Sequence, residues 1–430
     1  MAAIVDTLVS AVGREAVFTG DAIGPRYLSD WTRVKRAPPL AVVLPRNTEE
    51  VSRTLTICHA AGQAVVPQGG MTGLAGGAIP SAGDICLSLE RINGVESIDQ
   101  ASATMTVRAG TTLQKVQEAA AENGFEFSLD MGSRGSCQIG GVIATNAGGI
   151  RVIQSGTARD QVLGLEVVLA DGSVLDSMNQ MIKNNTGYDL KHWFIGSEGT
   201  LGVITRAVLR LRPPRKRCET ALCALTDYSA ALQLLTVLRD GLSAFEVMWE
   251  DFFEFGAKTS PFNRRYPLYA LVETAGSGLA DRLDGVVADA VLAHSIAEVR
   301  ALWEIREATA KFTERIDPLN FDVSLPIGRI GEFVDECKRL FPGAFFFGHI
   351  GDSNLHVTVD RTSAADHAIY SLVERYRGSV SAEHGIGILK REFLSCSRSE
   401  AEIRTMWAIK KALDPKGILN PGKVLPESFK

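Results

Sequence analysis

Five glycines crowd the eleven residues from Pro67 to Gly77, PQGGMTGLAGG, directly after the strand-like run AVVP. Glycine admits positive φ and lets backbone N–H groups close on a ligand, a geometry that cradles pyrophosphate. A second segment, DMGSRGSCQIGGVIATNAGG from Asp130 to Gly149, sets small residues beside two Gly-Gly steps, and a third, GSEGTLG, spans Gly196 to Gly202. One such loop alone reads as structural. Three of them within the first half of the chain imply a large cofactor lying along an extended cleft. The pattern is not the GxGxxG dinucleotide fingerprint, and no Gly-Lys-Ser or Gly-Lys-Thr follows to make a P-loop.

Around these segments the chain alternates strands and helices. The run TEEVSRTLTICHA predicts a helix from Thr48 to about Ala60, capped by Asn47 or Thr48, with Glu49 and Glu50 in its first turn. DICLSL, ATMTVRAG and LEVVLADGSVLD read as strands, and LQKVQEAAAENG as a helix closed by Gly124. Pro213-Pro214 followed by RKR breaks the pattern and marks a domain boundary. Beyond it, CETALCAL, PLYALVET and FDVSLP read as strands, and ALWEIREATAKFTE and IGRIGEFVDECKRL as helices, an α+β arrangement with antiparallel strands. The expected division is residues 1–214, 215–385 and 386–430, the last beginning the return of a C-terminal helical segment stopped at Asp414-Pro415.

Composition narrows the function classes. A net charge of −5 argues against a nucleic-acid binder, which carries a basic stripe. No apolar run reaches the ~18 residues that span a bilayer, and Asp6 and Arg14 interrupt the N-terminal apolar run, so a short amphipathic helix is expected there in place of a signal peptide. Cys58, Cys86, Cys137, Cys218, Cys223, Cys337 and Cys396 form no CxxC pair, which suits a reducing compartment; the cytoplasm is the expected location.

The histidines concentrate near the end. GHIGDSNLHVTV places His349 before a Gly-Asp-Ser turn and His356 on the strand after it, and SAEHGIG supplies Glu383 and His384. In an extended LHVTVD, Leu355, Val357 and Val359 face a core while Asn354, His356 and Thr358 share the other face. Two imidazoles and a carboxylate with an open position suit a metal; the alternative is a set of turn histidines satisfied by their surroundings.

PQGGMTGLAGG, IGGVIATNAGG, VLGLEVVLADG, NNTGYDL and FIGSEGTLGVIT, together with GHIGDSNLH and EHGIG, resemble the FAD-binding oxidases of the vanillyl-alcohol-oxidase type. The resemblance is closest to the branch holding D-2-hydroxyglutarate dehydrogenases, D-lactate dehydrogenases and glycolate oxidase flavin subunits, and runs from about Trp31 to Pro426. It implies an α+β fold, with a two-part FAD-binding domain, a substrate (cap) domain carrying an antiparallel sheet, and a C-terminal segment returning to the flavin. Pro67, Gln68, Gly69, Gly70, Met71, Thr72, Gly73 and Leu74 are then expected at the FAD pyrophosphate. Asp130, Gly132, Ser133, Cys137, Ile139, Gly140, Gly141, Ala144, Thr145, Gly156, Asp160 and Ile204 are expected along the rest of the flavin, with Asn420 and Lys423 near its ring. Some members of the wider group attach FAD through a histidine of the first glycine loop; this loop has none, so non-covalent FAD is implied, and Met71 stands where the branch usually has Asn.

The same resemblance implies oxidation of a D-2-hydroxy acid to the 2-oxo acid, the C2 hydride passing to flavin N5. His349, His356 and Glu383 are implied as ligands of a divalent metal that holds the 2-hydroxyl and carboxylate, His384 as the base, and Asn354 as a residue near substrate and flavin. Zinc is the expected ion, although the donor set also suits manganese, iron or cobalt. Arg306 matches the arginine that meets a substrate carboxylate, and Thr309 follows it three residues on. Asn320 stands where D-2-hydroxyglutarate members carry lysine, which leaves D-lactate and D-malate open beside D-2-hydroxyglutarate, with Lys311 a candidate to compensate. The expected partners are the hydroxy acid and an external electron acceptor (a flavoprotein carrier, a cytochrome or a quinone), and a homodimer is a family-level expectation. The competing readings are a flavin-free metallohydrolase and a silent flavin subunit that only passes electrons.

Overall fold

Asn47 receives the Glu50 N–H at 2.9 Å and so starts the helix Thr48–Ala61, which Gly62 ends in a left-handed conformation. Its buried Val51, Leu55 and Cys58 join Val65, Ile85 and Leu87 in one core. The computed structural model describes residues 2–429 apart from 33, 35, 36, 216, 217 and 363. Lys216 and Arg217 of the basic run after Pro213-Pro214 lie outside the described residues.

The chain divides into two units. The first comprises Met1–Gly149, Ser155–Pro214 and His384–Lys430; the second comprises Ile150–Gln154 and Arg215–Glu383.

The first unit holds two sheets. In one, Val17–Phe18, Ala41–Val43, Ile85–Ser88 and Val65–Gln68 lie in that order, the last three parallel to one another. Parallel neighbours need crossovers, and Thr48–Ala61 supplies one of them. The other sheet is antiparallel throughout, in the order Val95–Asp99, Thr104–Arg108, Val203–Arg210, Val162–Val168 and Val174–Ser177. LEVVLADGSVLD is therefore a hairpin, because Gly172 at φ 91 turns the chain back. The C-terminal segment returns here, where Val65 N–H donates to Ile418 O and Asn420 N–H to Val65 O, both at 2.8 Å.

The second unit is one antiparallel sheet of seven strands: Asp289–Ala293, Cys218–Leu225, Leu268–Ala275, Leu242–Trp249, Phe345–Gly348, Asn354–Asp360 and Pro318–Ser324. Leu355, Val357 and Val359 are buried, as their alternation requires. An aromatic cluster built on Phe252, Phe253, Tyr269, Phe312 and Phe347 fills the core beneath the other strands. Among the described residues, no helix is long and apolar enough to cross a membrane.

Candidate active site

In the first unit, the glycine loop leaves the strand Val65–Gln68 at a sheet end. Trp31 N–H donates to Gly73 O at 3.1 Å, and Asp30 Oδ2 accepts from Gly76 N–H, which folds the loop back on itself. Gly70 lies so close to the second segment that a Cβ there would come within 2.0 Å of Ser136 O. Pro67 to Leu74 and Ser133 to Cys137 therefore pack directly together. The second segment is not all loop: Ile139–Ala144 forms a short helix, with Ile139 and Gly140 buried and Gly141, Ala144 and Thr145 partly open. Gly140 packs so closely on Ala109 that a Cβ there would come within 2.8 Å of the Ala109 Cβ.

Gln68 Oε1 and Gln138 Oε1 are buried without a hydrogen-bond partner. Unpaired buried acceptors beside a glycine cradle suit a ligand rich in N–H and O–H donors, and FAD is one. Asp130, Gly132 and Ser133 are at least partly exposed, whereas Cys137 and Ile204 are buried. Asp160 is spent on its own helix, accepting from Thr157 N–H at 2.8 Å beside Gly156. Asn420 holds Gly77 O and Glu198 O through Nδ2 and receives Lys423 Nζ on Oδ1, so both C-terminal side chains brace the loops. The third glycine segment contributes Glu198, whose carboxylate accepts from Ile386 and Gly387 N–H at 2.7 and 2.9 Å and fixes the turn after His384.

In the second unit, ligand-type atoms of His349, His356 and Glu383 all lie within 4.8 Å of one another. His349 Nε2 is 3.6 Å from Glu383 Oε1, and the two imidazole rings stand nearly perpendicular with centroids 5.6 Å apart. Two nitrogens and an oxygen at this spacing fit a divalent ion with an open position. On its other side His349 Nδ1 meets Glu246 Oε1 at 2.5 Å, and Arg306 Nε donates to Glu246 Oε2 at 2.7 Å. Burial opposes a charge on His349, but Glu246 and Glu383 outweigh it and raise its pKa to about 9. Burial would likewise raise Glu246, but His349 and Arg306 hold its carboxyl at about 2. Burial, with Glu246 and Glu383 nearby, pushes Asp352 up to about 7 against the pull of His349.

Arg306 stacks over the Phe347 ring at 4.7 Å, and the same ring lies 5.0 Å from that of His356. Its Nη groups have no protein partner among the described residues. Arg306 is the last residue of the helix Ile296–Arg306, whereas Thr309 sits in the following 3-10 turn Ala308–Glu314 with Lys311, so the expected continuous helix face is broken between them. Asn320, Asp322 and Ser324 pair with Thr358, His356 and Asn354, which puts all six on one register. Asn320 is exposed and accepts from Thr358 Oγ1 at 2.8 Å. Asn354 is buried, with Nδ2 on Asp322 and Oδ1 without a partner.

Glu246 and Asp322 escape a motif-based reading. Their signal in the sequence is a lone carboxylate inside an otherwise apolar strand, LSAFEVMW and FDVSLP. A wholly buried charge persists only where partners surround it.

Comparison with known proteins decides the family. Residues 39–177 match the FAD binding domain family, and residues 214–424 match the C-terminal domain of FAD linked oxidases. A D-2-hydroxyglutarate dehydrogenase of Xanthomonas citri pv. viticola is 40% identical, over 93% of this chain and 92% of its own length. The chain belongs to the FAD-linked oxidase family, with the D-2-hydroxyglutarate dehydrogenases among its relatives. The mitochondrial D-2-hydroxyglutarate dehydrogenase of Bos taurus is 39% identical over 92% of this chain and 79% of its own length, and a D-2-hydroxyglutarate dehydrogenase of Stutzerimonas stutzeri is 33% identical over 98% of both. Among solved structures, p-cresol methylhydroxylase shares the family fold with a TM-score of 0.79 at 16% identity, covering 99% of this chain and 97% of its own. FAD is the family's cofactor, and the chain is an FAD-dependent hydroxy-acid dehydrogenase.

Proposed function

We propose that this dehydrogenase oxidises D-2-hydroxyglutarate to its 2-oxo acid, with a divalent metal, zinc first, on His349, His356 and Glu383. The observation that carries the reading is the convergence of three metal-type donors with Arg306, whose guanidinium stacks on the ring neighbouring His356. Its relatives from Xanthomonas citri pv. viticola and Bos taurus are named for that substrate.

Bound FAD supplies the hydride acceptor, and a bound ion supplies Lewis acidity toward the substrate's hydroxyl and carboxylate. The chain's own residues do the rest. Arg306 offers its Nη groups to a carboxylate, a fork-to-fork match that a lysine would not make. Asn354 presents a buried acceptor to the hydroxyl. His384 takes the hydroxyl proton, a role typically worth roughly 10²–10⁴-fold in rate. Asn320, with Oδ1 bound to Thr358, turns its amide donors to the far carboxylate, and Thr309 adds a hydroxyl. The glycine loops and Asp130 to Thr145 hold FAD without a covalent bond, and an external electron acceptor completes turnover.

An amide is a weaker partner for a second carboxylate than an ammonium. That observation on Asn320 favours D-lactate, which carries no second carboxylate, as the second reading. The test is an anaerobic visible spectrum of the yellow protein while D- and L-forms of 2-hydroxyglutarate, malate and lactate are added singly. Bleaching by D-2-hydroxyglutarate fastest of all is the expected result. Faster bleaching by D-lactate would move the assignment, and bleaching by an L-acid would overturn it.

A further inference from the structure

Glu246 sits in the middle of the strand Leu242–Trp249 and is wholly buried. The register that pairs Val247 with Gly348 carries one step further to Glu246 and His349. The sheet itself therefore delivers the carboxylate to the imidazole. One oxygen receives Nδ1 of His349, and the other receives Nε of Arg306.

Each contact has a consequence. A carboxylate on Nδ1 holds the proton there, so Nε2, 3.6 Å from Glu383 Oε1, is the nitrogen left to give up its proton in favour of an ion. A carboxylate on Nε fixes the guanidinium plane and leaves the Nη edge for a ligand.

Resting on the metal reading above, we propose that Glu246 is a positioning residue for the reaction: its one carboxylate orients His349 as a metal ligand and Arg306 as the substrate clamp. Ion affinity and substrate affinity then depend on the same side chain, although Glu246 touches neither ion nor substrate. Glutamine cannot replace it, because both neighbours present N–H groups and an amide has only one acceptor oxygen.

The test uses the FAD-loaded protein, stripped of metal and titrated with zinc against a competing chelator. Glu246→Gln is expected to bind zinc about 10–100-fold more weakly, the usual effect of losing a partner behind a ligand. With zinc at saturation, its KM for D-2-hydroxyglutarate is expected to rise about tenfold or more while kcat changes less, since Arg306 has lost its brace. The double variant Glu246→Met/Arg306→Met removes both buried charges together, which such sites tolerate. It keeps the readout alive if Glu246→Gln misfolds, and it too should lose zinc affinity. Wild-type zinc affinity in a folded variant, or an unchanged KM for Glu246→Gln at zinc saturation, overturns the proposal. Wild-type protein that takes up no zinc overturns the metal reading itself, an outcome distinct from an indifferent Glu246→Gln.

Discussion

Asp322 receives Asn354 Nδ2 on one oxygen and the Glu383 N–H on the other, each at 2.9 Å. A single buried carboxylate thus ties a candidate substrate residue to a candidate metal ligand. Asp322→Asn puts an amide N–H₂ against one of those donors and leaves a buried group unpaired, a cost of roughly 1–3 kcal/mol. We expect Asp322→Asn to fold less stably by that amount in urea titration and to retain less zinc after dialysis. Full zinc retention with unchanged stability would show that the Glu383 segment is held by other contacts.

Met71 lies at φ 55 in the left-handed region. A side chain there costs roughly 1–2 kcal/mol, which asparagine partly escapes by local hydrogen bonding. The branch's usual asparagine at this position thereby has a backbone reason. Met71→Asn is expected to raise stability by about 0.5–1 kcal/mol and slow FAD release, read from thermal unfolding and from flavin fluorescence on dilution. An unchanged melting temperature would mean that the loop relaxes around Met71 without stored strain.

Lys410 is buried and donates Nζ to Thr200 O and Leu419 O, both at 2.7 Å, beside Asp414 at 2.5 Å. Asp414 in turn caps Ile418 and Leu419 N–H, where the chain joins Val65. Lys410→Met leaves Asp414 charged, buried and short of its partner, a loss of roughly 3–5 kcal/mol. Calorimetry should show it, and adding Asp414→Asn should recover part. If Lys410→Met alone is nearly neutral, the ion pair does not fasten the C-terminal segment.

How much of this was legible in the sequence follows from how local each signal is. The alternation of Leu355, Val357 and Val359 is read over five residues, and the sheet buries that face. The cap at Asn47 and the turn at Gly124 are equally local. The helix Ile139–Ala144 had no local signal, because two of its six residues are glycine and its packing on Ala109 is a long-range contact. The break after Arg306 was hidden because helical and 3-10 spacing look alike over a few residues. Glu246 is the instructive miss. Its partner His349 is 103 residues away, and only strand pairing, which no periodicity encodes, brings them together.

Glu96 lies on the edge strand Val95–Asp99, between Arg108 Nε at 3.0 Å and Arg206 Nη2 at 2.5 Å. Burial alone would raise its pKa, but Arg206 and Arg108 outweigh it and hold the carboxyl below its ordinary value. A carboxyl with a depressed folded pKa contributes stability that is present above its unfolded value, about 4.3, and lost as pH falls through the folded one. Glu96→Gln should therefore cost about 0.5–1 kcal/mol near neutral pH, the scale of a partly exposed pair. The gap to wild type should begin to close as the pH drops below about 4.3, where the unfolded carboxyl takes up its proton, and should vanish once the pH has passed below the depressed folded value, where the native carboxyl is protonated too. Urea midpoints measured across that range check the sign. A gap that stays constant with pH would assign the loss to side-chain shape and not to charge.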